Sequence, residues 1–398
     1  MKIYVHNAEE YVAVRLAICG ELDQENVLAS APRSKVSMYR AIKNLKDSRV
    51  LIRHRYSDGR TFLRLSSLCT DYLRSLSPAL LANARTVVNE NIKYNGTREA
   101  RMRDRVNYEF YRECLDQNIE INRISCEYSP EELFSPAEGR MRSEGTSVFS
   151  TEDGIDNLES IVKDLPRGYT GLLTKRTVKK KEKSDITSEG NRISRISGTL
   201  ILRNQVYQTY VLTDPINSTW KTDAEFAGSN YIIGAIERHN PNFSKKGIRL
   251  KNQCIFLLST SEQAGKLIFP GDEKPRMDPR LIYDECYVLP SYKIGDAKLR
   301  LFALPDWKKA ITIALFPGST EGIADAIADD GTEIYNLIGC DLKRISEITP
   351  RVLESDEKSV LMVESWMAEP MHEIFSRDNI EIVEINDEQL RTLADNIA

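Results

Sequence analysis

The stretch SKVSMYRAIKNLKDSRVLIRHRYSDGRTFLRL, Ser34 to Leu65, constrains the fold of this chain more than any other. Apolar Met38, Ala41, Ile42 and Leu45 recur at i, i+3, i+4 and i+7, the pattern of one buried helix face running from Ser34 to about Asp47. Ser34 supplies an N-cap oxygen, and Pro32 keeps an earlier helix from running through. After Leu45 the period changes. VLIRHRYSDGRTFLRL reads as two short strands joined by Ser57-Asp58-Gly59, because a tight hairpin turn needs the positive φ that Asp-Gly provides. Upstream, EEYVAVRLAICG (9–20) is apolar at Val12, Leu16 and Cys19, with Gly20 as a stop. LDQENVLASA then offers a short second helix with Asp23 near its cap. The expected order is helix, helix, helix, hairpin.

With Met38, Ile42 and Leu45 facing a core, the opposite helix face carries Val36, Arg40, Lys43 and Asp47, flanked by Ser37, Tyr39 and Asn44. These types suit a major groove: Arg bridges guanine, Asn pairs with adenine, and Val touches a thymine methyl. Arg53, Arg55 and Arg60 fall on or beside the hairpin, where phosphates or a minor groove would lie. Ser34 and Lys35 at the helix start and Arg64 on the second strand complete the candidate DNA-binding set. The alternative is a protein-interaction module whose charge is merely solvated.

Charge counting favours the first reading. Residues 33–64 hold ten Lys or Arg against two acids, an excess of eight. Residues 1–105 carry the same excess, while the remainder has twelve more acids than bases and the whole chain is at −4. A basic head on an acidic body is the footprint of a polyanion-binding module.

The segment SKVSMYRAIKNLKDSRVLI resembles the winged helix-turn-helix of bacterial regulators, small-x-x-Ser/Thr-apolar-x-Arg-x-x-x-x-Leu. It departs at Arg49, where many such proteins have a Gly ending the recognition helix. The resemblance covers less than a fifth of the chain and implies double-stranded DNA as partner, with homodimer formation through a helix beyond the wing as a further option.

At 398 residues the chain should make two or three domains. No apolar run is long enough for a membrane span, and MKIYVHNAEEY has no apolar signal segment. Seven scattered Cys, never spaced Cys-x-x-Cys, read as reduced thiols in a cytoplasm, with no zinc site.

From Leu68 to about Glu120 the pattern is helical, with Leu73, Leu76, Leu80, Leu81, Ala84, Val87 and Val88, then Met102, Val106, Phe110 and Leu115. These are either the edge of a second domain or a dimer seam. Residues 129–196 are polar, and the basic run TKRTVKKKEKSD is expected as a solvated loop or an exposed strand pair. From Ile196 the texture is α/β: a hairpin over Gly198 to Leu212, a helix between Thr222 and His239, a buried strand CIFLLS, and a helix at 261–267. Further strands are expected at ECYVLP, LRLFAL and TIALF. The tail alternates strand, helix, strand, helix through SVLMVES, WMAEPMHEIF, IEIVEIN and DEQLRTLADN.

Signatures of chemistry are thin. A restriction-endonuclease-like fold would need Pro-Asp followed by an acid-x-Lys in a strand. Pro305-Asp306 is followed by TIALF, and Asp214 by Asp223 and Glu225 without the Lys. Four dispersed His, no P-loop and no Gly-x-Ser-x-Gly elbow exclude further classes. GIADAIADDGTE carries Asp325, Asp329, Asp330 and Glu333, and within it IADAIADD reads as a solvated helix ending at Gly331 rather than an ion loop.

The layout also resembles that of the replication-relaxation proteins of plasmids and conjugative elements, through TDYLRSL, SRISGTLILRNQVYQTYVL and STWKTDAEFAG. That resemblance implies an accessory role in replication or transfer, alongside other proteins of those processes or of transcription.

The expected fold class is therefore α+β: an N-terminal winged helix-turn-helix (1–75), helical connector or dimerisation segments (76–128), a polar linker or insertion (129–196), and a larger mixed α/β body (197–398), restriction-endonuclease-like and degenerate in one form. The expected function is sequence-specific DNA binding in an accessory or regulatory role, without catalytic residues, metal or cofactor. A DNA-targeted nuclease-like enzyme and a ligand-sensing repressor are the alternatives.

Overall fold

The computed structural model describes residues 5–29, 33–55, 61–83, 98–117, 119–126, 171–177, 196–202, 205–212, 222–239, 250, 252–258, 280, 282–291, 295–317 and 323–397. The protein is α+β and divides into two compact units, Met1–Arg123 and Ile124–Ala398. No helix among the described residues is long and apolar enough to cross a membrane.

In the first unit, α1 (Ala8–Cys19) starts where Asn7 accepts a hydrogen bond from the Glu10 amide, and stops at Gly20, whose φ of 92° favours glycine. Then come β1 (Glu21–Asp23), α2 (Gln24–Ala29) and α3 (Lys35–Asp47). Asp23 accepts from the Glu25 amide at 2.8 Å. Strands β2 (Leu51–Arg55) and β3 (Thr61–Leu65) follow as an antiparallel pair. The connecting turn, including Ser57-Asp58-Gly59, lies outside the described residues.

Strand β1 was not expected. Only three residues long, it has no alternation to betray it, yet it pairs with β3 and makes a sheet of order β1-β3-β2. Leu51, Leu63, Leu65 and Leu22 are buried against the helical core with Met38, Ile42 and Leu45. Helices α4 (Thr70–Leu76), α5 (Pro78–Asn83) and α6 (Arg98–Asp116) follow, and α1 packs against all three. Val106, Phe110 and Cys114 are buried, and the buried Arg15 of α1 ion-pairs with Asp116. The expected positions Ala84, Val87 and Val88 lie outside the described residues.

In the second unit, β4 (Glu120–Cys126, where the unit boundary falls), β5 (Gly171–Thr177), β6 (Gly198–Leu202), β7 (Gln205–Val211), β8 (Gln253–Leu258) and β9 (Glu285–Pro290) form one sheet in that order. The β5-β6-β7 steps are antiparallel and the β7-β8-β9 steps parallel. Helix α7 (Thr222–His239) links β7 to β8. A second sheet orders β10 (Ala326–Ile327), β11 (Glu333–Asn336), β12 (Ser359–Glu364) and β13 (Ile380–Ile385), with β11-β12-β13 parallel. One core joins the two sheets, from Phe256 and Val288 to Leu361 and Val363.

Three expectations are corrected here. Leu299–Phe302 of LRLFAL close α8 (Gly295–Phe302), and Thr312–Leu315 of TIALF close α9 (Trp307–Leu315). The α8 run mimics a strand because burial hides its helical period, and the α9 run because it is apolar and β-branched. In α8 Ala297, Lys298, Leu299, Leu301 and Phe302 are all buried, and in α9 the buried Trp307 and Ile311 stand one turn apart around a β-branched run. IADAIADD is no helix: Ala326–Ile327 pairs antiparallel with β11, and Gly331 turns the chain at φ 85°. Helix α10 (Leu342–Glu354) was unforeseen because Pro350 sits inside it. The tail strands and helices α11 (Ala368–Ile374) and α12 (Asp387–Ile397) form where expected. The helix expected at 261–267 and most of the basic run 174–185 lie outside the described residues.

Candidate nucleic-acid interface

Helix α3 begins where Ser34 Oγ accepts from the Ser37 amide at 3.3 Å, so Ser34 serves as the cap. Met38, Ala41, Ile42 and Leu45 are buried, which turns Val36, Arg40, Lys43 and Asp47 outward. Val36 is 70% exposed and Tyr39 52%, more than packing within this unit requires. Lys35, Arg40 and Lys43 on α3 and Arg53 and Arg55 on β2 are exposed, and none has an ion pair among the described residues. Ser37 is half-buried.

The end of α3 explains how Arg49 replaces glycine. Its φ is 60°, the left-handed conformation. The Val50 amide donates to Leu45 O at 2.9 Å and the Arg49 amide to Lys46 O at 2.9 Å, the paired bonds of a Schellman closure. Buried Val50 packs at the position where that closure takes an apolar residue. Ser66, just past β3, ties the hairpin to this cap: its hydroxyl donates to Arg49 O and its amide to Val50 O at 2.9 Å.

Two expected contact residues sit apart from the rest. Asn44 Nδ2 donates to Glu9 Oε1 of α1 at 2.7 Å, so its amide is occupied within the unit. Arg64 pairs in register with Glu21 on one side and Ile52 on the other, whereas Arg53 pairs with Leu63. Alternation puts Arg64 on the opposite sheet face from Arg53 and Arg55, and it is half-buried. Arg60 lies outside the described residues. Near Glu9, burial together with the negative charge of Glu9 and Glu10 pushes the Tyr72 hydroxyl up to about 12. It stays a neutral donor near neutral pH.

In the second unit the cations are held differently. Buried Lys298 pairs with buried Glu364, which also accepts from Trp366 Nε1 at 3.0 Å and the Gly339 amide at 2.8 Å. Lys308 Nζ lies 2.7 Å from Asp341 Oδ2, and Arg344 lies 3.1 Å from Asp325. Arg351 binds Glu333, and its guanidinium holds that carboxyl below the usual range. Asp325, expected on a solvated helix, and Glu333 are thus ion-pair partners. Of the carboxylates weighed for a nuclease, Glu225 is buried on α7, Asp306 takes a left-handed φ of 55° ahead of α9, and Asp214 lies outside the described residues.

Sequence reasoning missed Glu9 as the partner of Asn44, because the two are 35 positions apart and no local pattern joins them. Comparison of this chain with protein-family models, curated proteins and solved structures found no match.

Proposed function

We propose that the first unit is a winged helix-turn-helix that binds double-stranded DNA, with α3 as the recognition helix and β2-β3 as the wing. The observation that carries this is that Lys35, Arg40 and Lys43 of α3 and Arg53 and Arg55 of β2 are exposed with no ion pair among the described residues, and that Val36 and Tyr39 of α3 are exposed beside them. Unpaired surface cations are available to phosphates, and binding then releases counterions. Val36, Tyr39, Arg40 and Lys43 are the base-reading side chains, and Arg53 and Arg55 hold the backbone. Asn44 joins readout only by leaving Glu9, and Arg64 is a sheet residue rather than a contact.

The role that follows is accessory or regulatory, in replication, transfer or transcription of a plasmid or other mobile element. The test is fluorescence anisotropy of the full-length protein on labelled duplexes over a salt series. Log affinity should fall linearly with log salt, at a slope of about −0.9 per neutralised phosphate. Salt-insensitive binding, or none on duplexes selected from a random pool, returns the unit to the protein-interaction reading.

A further inference from the structure

The two sheets of the second unit end differently. At one edge of the first, β9 is closed by the chain itself. The Cys286 amide donates to Asp341 Oδ1 at 3.0 Å, and the Val288 amide to Gly339 O and Cys340 O at 3.2 and 3.1 Å. At the edge of the second sheet, β13 has no such cover among the described residues. It pairs in parallel with β12, and Asn379 O, just before the strand, accepts from the Ser359 amide at 2.9 Å. Alternation then turns the backbone groups of Glu381, Val383 and Ile385 toward β12, and those of Ile380, Ile382 and Glu384 away from it. The Ile380 amide is used locally, donating to Arg377 O at 3.0 Å. The N–H and C=O groups of Ile382 and Glu384 have no hydrogen bond among the described residues.

Backbone donors and acceptors left on an open edge are a template for a further strand. Charge decides which strand. Residues 378–388 hold Asp378, Glu381, Glu384, Asp387 and Glu388, and no Lys or Arg. All five carboxylates are exposed. Glu381 lies 3.6 Å from the exposed Lys358, and the other four have no ion pair among the described residues. Alternation puts Glu381 on one face of the sheet and Glu384 on the other, so an incoming strand meets a carboxylate on both.

Those charges disfavour a second copy of this chain. An antiparallel pair of β13 strands centred between Ile382 and Val383 would set each Glu381 opposite the Glu384 of the other copy, and like charges directly opposite are destabilising. Lys or Arg at the same two places turns repulsion into attraction. An open edge that repels itself and is acidic on both faces fits a basic strand.

We propose that β13 is a docking edge for a basic, extended segment of a partner protein, which adds to the four-stranded sheet through the outward groups of Ile382 and Glu384 and sets Lys or Arg against Glu381 and Glu384. This contact is independent of the duplex binding proposed for the first unit. The test selects binders of the full-length protein from a random-peptide library and titrates a fluorescent copy of the best one by anisotropy. The selected peptides should be basic, without proline in their central residues, and should bind more weakly as salt rises. Glu384→Lys should lower affinity roughly tenfold, because an opposite-charge pair becomes a like one. Glu384→Pro removes an N–H that points away from β12, so the ladder to β12 stays whole while binding is lost. If that variant does not fold, peptides N-methylated at one or the other set of alternate residues carry the same test: one set should lose binding and the other keep it. Selection of no basic peptide, unchanged binding in Glu384→Lys or folded Glu384→Pro, or equal binding by the two N-methylated peptides overturns the proposal. So does self-association of the full chain that Glu384→Pro abolishes, which would give the edge to a second copy.

Discussion

Two regions of the molecule, the outward side chains of α3 and β2 and the ion-paired side chains of the second unit, treat positive charge in opposite ways. On α3 and β2, Lys35, Arg40, Lys43, Arg53 and Arg55 stand exposed with no ion pair among the described residues. In the second unit Lys298, Lys308, Arg344 and Arg351 are each held by a carboxylate, and Lys298 is buried. An exposed cation costs the fold almost nothing and stays free for a partner. A buried one is tolerable only when paired, and the pair then ties distant elements together. The lesson is that an arginine or lysine in this chain can be assigned to binding or to architecture by asking what neutralises it.

That contrast breaks most sharply at Lys298. Lys298→Met keeps the volume but leaves Glu364 buried without its cation, and should cost about 3–5 kcal/mol of stability in urea denaturation. Adding Glu364→Gln should recover part of the loss. If Lys298→Met is neutral, the pair is not the tie between β12 and α8 described above.

Arg40→Ala is the mirror experiment. Stability should stay within about 0.5 kcal/mol of wild type, while affinity for a selected duplex falls by about 1–3 kcal/mol and base preference relaxes. Arg55→Ala should instead weaken selected and random duplexes alike and reduce the salt slope by about 1. Matching behaviour of the two variants would show that helix and wing do not divide the labour.

Arg351 lies between the extremes, because it is partly exposed yet pairs with buried Glu333. Arg351→Met should cost about 1–2 kcal/mol near neutral pH, a charged hydrogen bond discounted for solvent screening. The pH dependence has a definite sign. The carboxyl of Glu333 is lowered in the folded state, so its contribution is complete above the unfolded value of about 4.3 and is lost as pH falls through the folded one. The gap between wild type and Arg351→Met should therefore narrow on acidification, when the two are compared by denaturant midpoint across a pH series.

The smallest effect is expected at Arg49. A non-glycine residue in the left-handed region carries roughly 1 kcal/mol of strain, so Arg49→Gly should stabilise by up to about 1 kcal/mol, less the entropy glycine adds to the unfolded chain. A fall in melting temperature would mean that the arginine side chain does more than close the helix.

Much of the first unit was legible without coordinates, because its signals are local. Helix period, a cap and a turn dipeptide lie within a few residues of one another, so α1, α3 and the hairpin could be read directly, as could the outward face of α3. The tail strands β12 and β13 were legible for the same reason. What the sequence by itself determined, then, is the elements with clean periods and the place where positive charge collects. The tertiary structure alone decided the rest. It recruited Glu21–Asp23 into a sheet by pairing with β3, turned Arg64 away from Arg53, and occupied Asn44 with Glu9. It made helices of two apolar runs that read as strands, and in α8 burial nearly all round removes the polar face that would mark its period. It also set Gln205 beside Gln253, 48 positions apart, where parallel strand register brings them to one face. Local periodicity records which face a segment buries, but which residues meet across strands and helices depends on pairings that no short window of sequence contains.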